Sequence, residues 1–185
     1  MTVGAEEPTT LKRRLLRRIE IDGPMPVSDY MEACLSDPDH GYYATREPFG
    51  AAGDFVTAPE ISQMFGELIG LWAIERWRET GAPATFVLAE LGPGRGTLIA
   101  DLLRAARIEP AFLAGARIVL VETSKRLRLM QRQTLAGHLL EWRSDIHSLP
   151  GGPLIVVANE FFDALPIRQF VRTESGIAER VVGAA

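Results

Sequence analysis

Apolar residues follow one period in the N-terminal part of the chain and another after it, and the change falls near residue 82. Between Thr10 and Ile21, Leu11, Leu15, Leu16 and Ile19 recur at helical spacing and predict an amphipathic helix. Arg13, Arg14, Arg17 and Arg18 fall on its polar side and read as a solvated face rather than a binding site. "DGPMPVSD" interrupts the pattern, and Ser28 is placed to cap a short helix from Asp29 to about Leu35. Pro59 suits a helix start, and Ile61, Met64, Phe65, Leu68, Leu71, Trp72 and Ile74 extend a stripe broad enough for a buried helix. Gly66 and Gly70, four apart, leave room for a close neighbouring backbone, with plain packing as their simplest use.

Beyond "TGAP" the texture becomes short β-rich runs alternating with helical ones. Strands are predicted at 85–91, 117–122, 139–142, 154–158, 167–171 and 179–182, with helices at 97–107 and 125–135. Some of these strands are continuously apolar, which predicts a parallel sheet covered on both faces, a doubly wound α/β core. The expected organisation is an N-terminal helical region, 1–82, followed by a Rossmann-like core, 83–185. Because the chain stops straight after a strand, that core is expected to be C-terminally truncated. The segment from Ser36 to Pro59 shows neither period. It carries Tyr42, Tyr43, Phe49 and Phe55, which argue for an anchored, functional loop rather than disorder.

Composition narrows the partners. A hydrophobic content of 46% suffices for a core, and a net charge of -4 gives no general attraction to nucleic acid or anionic lipid. One cysteine, Cys34, and three scattered histidines supply neither a disulfide framework nor a metal-ligand spacing. No apolar run reaches the roughly 20 residues of a membrane span. Glu6 and Glu7 argue against a mitochondrial presequence, so a reducing cytoplasm is the expected location.

The chemistry concentrates at "ELGPGRGTL", where Gly92, Gly94 and Gly96 stand between an apolar strand and a helix. In a parallel sheet, ligands bind outside the carboxyl ends of the strands, and this first turn is a usual place. A dinucleotide would need G-x-G-x-x-G and free backbone N–H groups for its pyrophosphate. Here Pro93 removes one N–H, the spacing is one residue short, and Glu90 would repel a phosphate. A cationic, phosphate-free nucleoside suits the turn, and S-adenosyl-L-methionine is one. Glu122, ending the next strand, is placed to accept from ribose hydroxyls. Asp145, after the following strand, either accepts from an adenine amine or caps its own turn. Beyond "PLIVVA", Asn159 and Glu160 lie where substrate should meet the cofactor. A carboxylate such as Glu160 would orient a guanidinium nucleophile through paired hydrogen bonds, or would only cap the next helix. Phe161 and Phe162 read as core or pocket wall.

The chain resembles the MidA-like family of S-adenosylmethionine-dependent methyltransferases, whose mitochondrial members are complex I assembly factors. The likeness rests on "DPDHGYY", "GDFVTAPEISQMFGE", "ELGPGRGTL", "VET" and "NEFFDALP". It implies a class I methyltransferase fold with Glu90, Gly92, Gly94 and Glu122 at cofactor-binding positions. It further implies a protein arginine as acceptor, and a respiratory complex I subunit as a candidate partner. A bacterial cytoplasm is the implied location, or the mitochondrial matrix in a eukaryote. "GDFVTAPE" then reads as a loop folding over the cofactor, with Asp54 and Thr57 as polar contacts to its methionine end. A second reading keeps the fold as a non-catalytic, chaperone-like assembly module.

Overall fold

A computed structural model of the chain describes residues 9–45 and 57–184. Its elements in chain order are α1 (Thr10–Asp22), β1 (Met25–Pro26), α2 (Val27–Ser36), α3 (Tyr42–Thr45), α4 (Ala58–Ile61) and α5 (Gln63–Glu79). There follow β2 (Phe86–Leu91), α6 (Thr97–Ala105), α7 (Pro110–Gly115), β3 (Ala116–Val121), α8 (Lys125–Thr134), β4 (Leu140–Arg143) and β5 (Leu154–Ala158). The last are β6 (Phe170–Thr173), β7 (Gly176–Glu179) and β8 (Val181–Val182). The chain divides into two compact units, residues 1–46 with 163–185, and residues 47–162. The boundary expected near residue 82 falls inside the second unit, between α5 and β2. No described helix is long and apolar enough to cross a membrane.

In the first unit Thr9 caps α1 by accepting from the Lys12 N–H at 3.2 Å, and Gly23 ends the helix at φ 87°. The predicted stripe buries Leu15 and Ile19 against Met25. β1 pairs antiparallel with β8, Met25 opposite Val182. Part of the basic face is tied down: Arg14 pairs with Asp37, and Arg18 with Asp29 at 3.0 Å. Ser28 does not cap α2. The helix starts earlier, with Pro26 at the cap position, and the Ser28 hydroxyl donates to Asp29 at 3.3 Å. β6 and β7 form an antiparallel hairpin, Phe170 opposite Glu179, so the last predicted strands lie outside the parallel sheet. Only Glu174 and Ser175 join them, far short of the dozen or so residues that a parallel crossover needs.

The second unit is built on a parallel sheet in the order β4-β3-β2-β5. Residues of β2 alternate between the faces. Phe86 and Leu88 enter the larger core with Ile74, Trp77, Leu102 and Phe112, while Val87 and Ala89 meet Val119 on the other side. Helix α7, which the periodicity did not predict, contributes Phe112, whose ring stands edge-on to Trp77 at 5.7 Å. A Cβ on Gly66 would lie 2.6 Å from the Asp101 Cβ, and one on Gly70 2.7 Å from the Leu102 carbonyl oxygen. Both glycines thus let α5 lie directly on α6.

Two expectations for this region change. The helix predicted to run on from Pro59 is broken at Ser62, whose extended backbone (φ -144°, ψ 118°) separates α4 from α5. The α5 stripe is also only partly buried: its glycine side faces α6, leaving Met64 62% and Trp72 47% exposed.

Candidate cofactor and active site

Strand β2 lies between β3 and β5, so the strand order reverses at its carboxyl end, where parallel sheets open a crevice. Leu91 stands level with Ala158 of β5, and the turn after each strand therefore begins side by side. One cleft results. It is lined by Glu90, Gly92 and Gly94 from the first turn, Asn159 and Glu160 from the second, and Thr57 from the start of α4. These are predicted site residues that the topology brings together. Gly96, Glu122 and Asp145 are not among the lining residues. Asp54 lies outside the described residues.

The glycine turn is held by its own backbone. Gly92, Gly94 and Gly96 all have positive φ (60°, 53° and 83°), and the Gly92 N–H donates to the Val121 carbonyl at 3.0 Å. Gly92 is doubly constrained, because a Cβ there would come 2.5 Å from the Phe161 ring. Phe161 is thus the wall of the turn. Glu160 also takes a left-handed backbone, φ 47°, without being glycine, a strained state that clusters at functional sites.

Glu90 is the chemically conspicuous group. It is 3% exposed, and its Oε2 has no hydrogen-bond partner among the described residues. Burial pushes its carboxyl up to about 8, against the opposing pull of the Ile99 N–H bond. A buried, unmatched oxygen invites a donor from a ligand. The remaining lining has the charge for it: Glu60 and Glu160 add carboxyl groups, and Arg95 is the one guanidinium among the lining residues.

Glu60, Arg95 and Thr97 were not singled out from the sequence. Thr97 donates to Glu60 at 2.6 Å, and Arg95 lies 3.9 Å from the same carboxylate, fastening α4 to the glycine turn. The sequence signal is "TAPE", in which Glu60 stands at the end of the segment that Thr57 opens. Glu122 is 8% exposed and accepts from the Ser124 N–H at 2.8 Å and from Gln131 at 3.3 Å. Burial raises its carboxyl above the ordinary range, while those hydrogen bonds pull the other way. Asp145 instead closes its own turn, accepting from the His147 N–H at 2.8 Å.

A phosphate-free cationic nucleoside fits this arrangement, on the unmatched Glu90 oxygen beside a turn whose three glycines all take positive φ. The fold and cleft define an α/β domain whose ligand crevice opens where the strand order reverses. A family model described as "Putative S-adenosyl-L-methionine-dependent methyltransferase" matches residues 68–185, and the chain belongs to that family. The human protein named "Protein arginine methyltransferase NDUFAF7, mitochondrial" is 40% identical over 200 residues, covering 95% of this chain and 45% of the relative. The Drosophila melanogaster homologue of the same name is 38% identical and covers 86% and 41%. A crystal structure from Burkholderia thailandensis, bound to S-adenosyl-homocysteine, matches with a TM-score of 0.76 at 32% identity, covering 95% of this chain and 46% of that one. The resemblance to MidA-like methyltransferases therefore stands. The chain spans slightly under half the length of these relatives.

Proposed function

We propose that the protein binds S-adenosyl-L-methionine in this cleft and methylates an arginine of a protein substrate. The observation that carries the reading is the unmatched Glu90 oxygen at the glycine turn, in the same cleft as Glu160. When bound, the cofactor supplies a methyl group already activated by its positive sulfur. The protein's own work is positioning and charge. Glu90 accepts from the ligand's ammonium group, and Gly92 and Gly94 let it lie against the main chain. Glu122, outside the cleft's lining but tied to Gly94 through Gln131, accepts from ribose hydroxyls where the ligand extends past the turn. Thr57 contributes a hydroxyl to the same cleft. Glu160 accepts paired N–H bonds from the substrate guanidinium and takes the proton that the attacking nitrogen sheds. Asn159 beside it offers both a donor and an acceptor.

In the relatives' names the acceptor is a protein arginine; for this chain we propose a subunit of respiratory complex I, met in a bacterial cytoplasm or a mitochondrial matrix. The test is transfer of a labelled methyl group to such a subunit. Glu160→Gln should keep the affinity for S-adenosyl-homocysteine and lower transfer by about a hundredfold or more. Transfer at the wild-type rate would remove Glu160 from the mechanism. Cofactor binding with no transfer by the wild type would favour a non-catalytic module.

A further inference from the structure

Gln131 of α8 has no exposed surface, although its neighbours on that side of the helix, Leu127 and Leu135, are apolar. A buried amide is tolerated when its hydrogen-bonding groups are matched, and this one is. Its Nε2 donates to the Gly94 carbonyl at 2.8 Å and to the Glu122 carboxylate at 3.3 Å. Its Oε1 accepts from the Trp142 indole N–H at 2.8 Å. An indole nitrogen only donates, so Trp142 settles which way the amide points: oxygen toward β4, both protons toward the glycine turn and Glu122. One side chain thereby joins the turn after β2, the acid after β3 and a residue of β4.

We infer that Gln131 is a positioning residue, holding the Glu122 carboxylate at a fixed orientation and distance from the glycine turn so that it can accept a ribose hydroxyl. The inference rests on the reading of the cleft as an adenosyl site. The Ser124 N–H holds one Glu122 oxygen and Gln131 the other. A carboxylate has about four acceptor positions. The Ser124 and Thr123 N–H groups and Gln131 take three, which leaves room for a ligand hydroxyl.

Calorimetry with S-adenosyl-homocysteine and its 2′-deoxyribose analogue tests this in the purified protein. The wild type should prefer the hydroxylated ligand by about tenfold, the contribution of a hydrogen bond to a charged group. In Q131M, which keeps the bulk and loses the hydrogen bonds, that preference should vanish, with the loss falling on S-adenosyl-homocysteine alone. In Q131E, affinity relative to wild type should recover as the pH is lowered, because a protonated carboxyl can donate where a carboxylate cannot. Should Q131M fail to fold, W142F, which frees the amide to turn over, carries the same ligand comparison. Equal losses for both ligands, or a Q131E deficit independent of pH, would overturn the inference alone. If the wild type binds neither ligand, the adenosyl reading falls and the inference with it.

Discussion

Two acids near the ends of parallel strands show opposite fates. Glu90 is the penultimate residue of β2, only 3% exposed, and one of its oxygens has no partner among the described residues. Asp145 follows β4, is exposed, and spends its carboxylate on the His147 N–H while its carbonyl accepts from the Ser148 hydroxyl at 2.6 Å. In sequence both are acids close to the carboxyl end of a strand, Glu90 one residue before the end of β2 and Asp145 two residues after the end of β4. What separates them is water. Glu90 has been stripped of it with hydrogen-bonding capacity left over, whereas Asp145 keeps solvent and completes its own turn. Unmet capacity, more than place along the strand, is the ground on which we propose Glu90 as the ligand-binding acid.

The largest effect should come from removing that capacity. Glu90→Gln is expected to weaken S-adenosyl-homocysteine binding by about a hundredfold, at the upper range for a hydrogen bond to a charged group. The pH dependence sharpens the test. With its carboxyl near 8, Glu90 is mostly protonated at neutral pH in the free protein, and a cationic ligand favours the ionised form. Binding should therefore release a proton, and affinity should climb as the pH rises toward 8. Glu90→Gln abolishes both in calorimetry across buffers of different ionisation heat. Stability moves the other way. Between 4.5, the ordinary carboxyl value, and about 8, the folded state holds a proton that the unfolded state has lost, so stability falls as the pH rises through that window. Denaturant midpoints should show the fall in the wild type and a flatter profile in Glu90→Gln.

Next in size is the cradle around Glu90. Gly92→Ala combines a left-handed backbone with a Cβ 2.5 Å from the Phe161 ring. Gly137→Ala, at φ 93°, meets nothing within 4 Å. The second should cost about 1 kcal/mol of unfolding free energy from backbone strain alone, and the first about 2–3 kcal/mol. Equal costs in urea titrations would mean that Phe161 swings aside freely and is no wall.

Much of this was legible beforehand, and the gaps have physical causes. The apolar strand β2 and the glycine turn were readable because burial on both faces and positive φ each leave a residue signature. The hairpin of β6 and β7 was not, because periodicity marks a strand without naming its partner. The link from Glu60 to Thr97 spans 37 residues and exists only once α4 is folded against α6. Gln131 was hidden for a related reason: a glutamine in a helix is ordinary until its neighbours Gly94, Glu122 and Trp142 are assembled around it. The sequence placed Asp145 and Glu122 alike at strand ends, but neither lines the cleft.

The smallest predicted effect is the one most able to break the comparison. Asp145→Ala removes a side-chain cap on a short exposed turn, at an expected cost of about 0.5–1 kcal/mol. Because its carboxylate is already engaged and solvated, S-adenosyl-homocysteine affinity should change by less than about threefold, within the range of small surface perturbations. Calorimetry beside a urea titration separates the two quantities. A modest stability loss with unchanged affinity keeps Asp145 as a cap and leaves Glu90 as the acid with ligand-binding work. An affinity loss approaching that of Glu90→Gln would mean that Asp145 leaves its turn to meet the adenine, and that an exposed, satisfied carboxylate can be as much a ligand group as a buried, unmatched one.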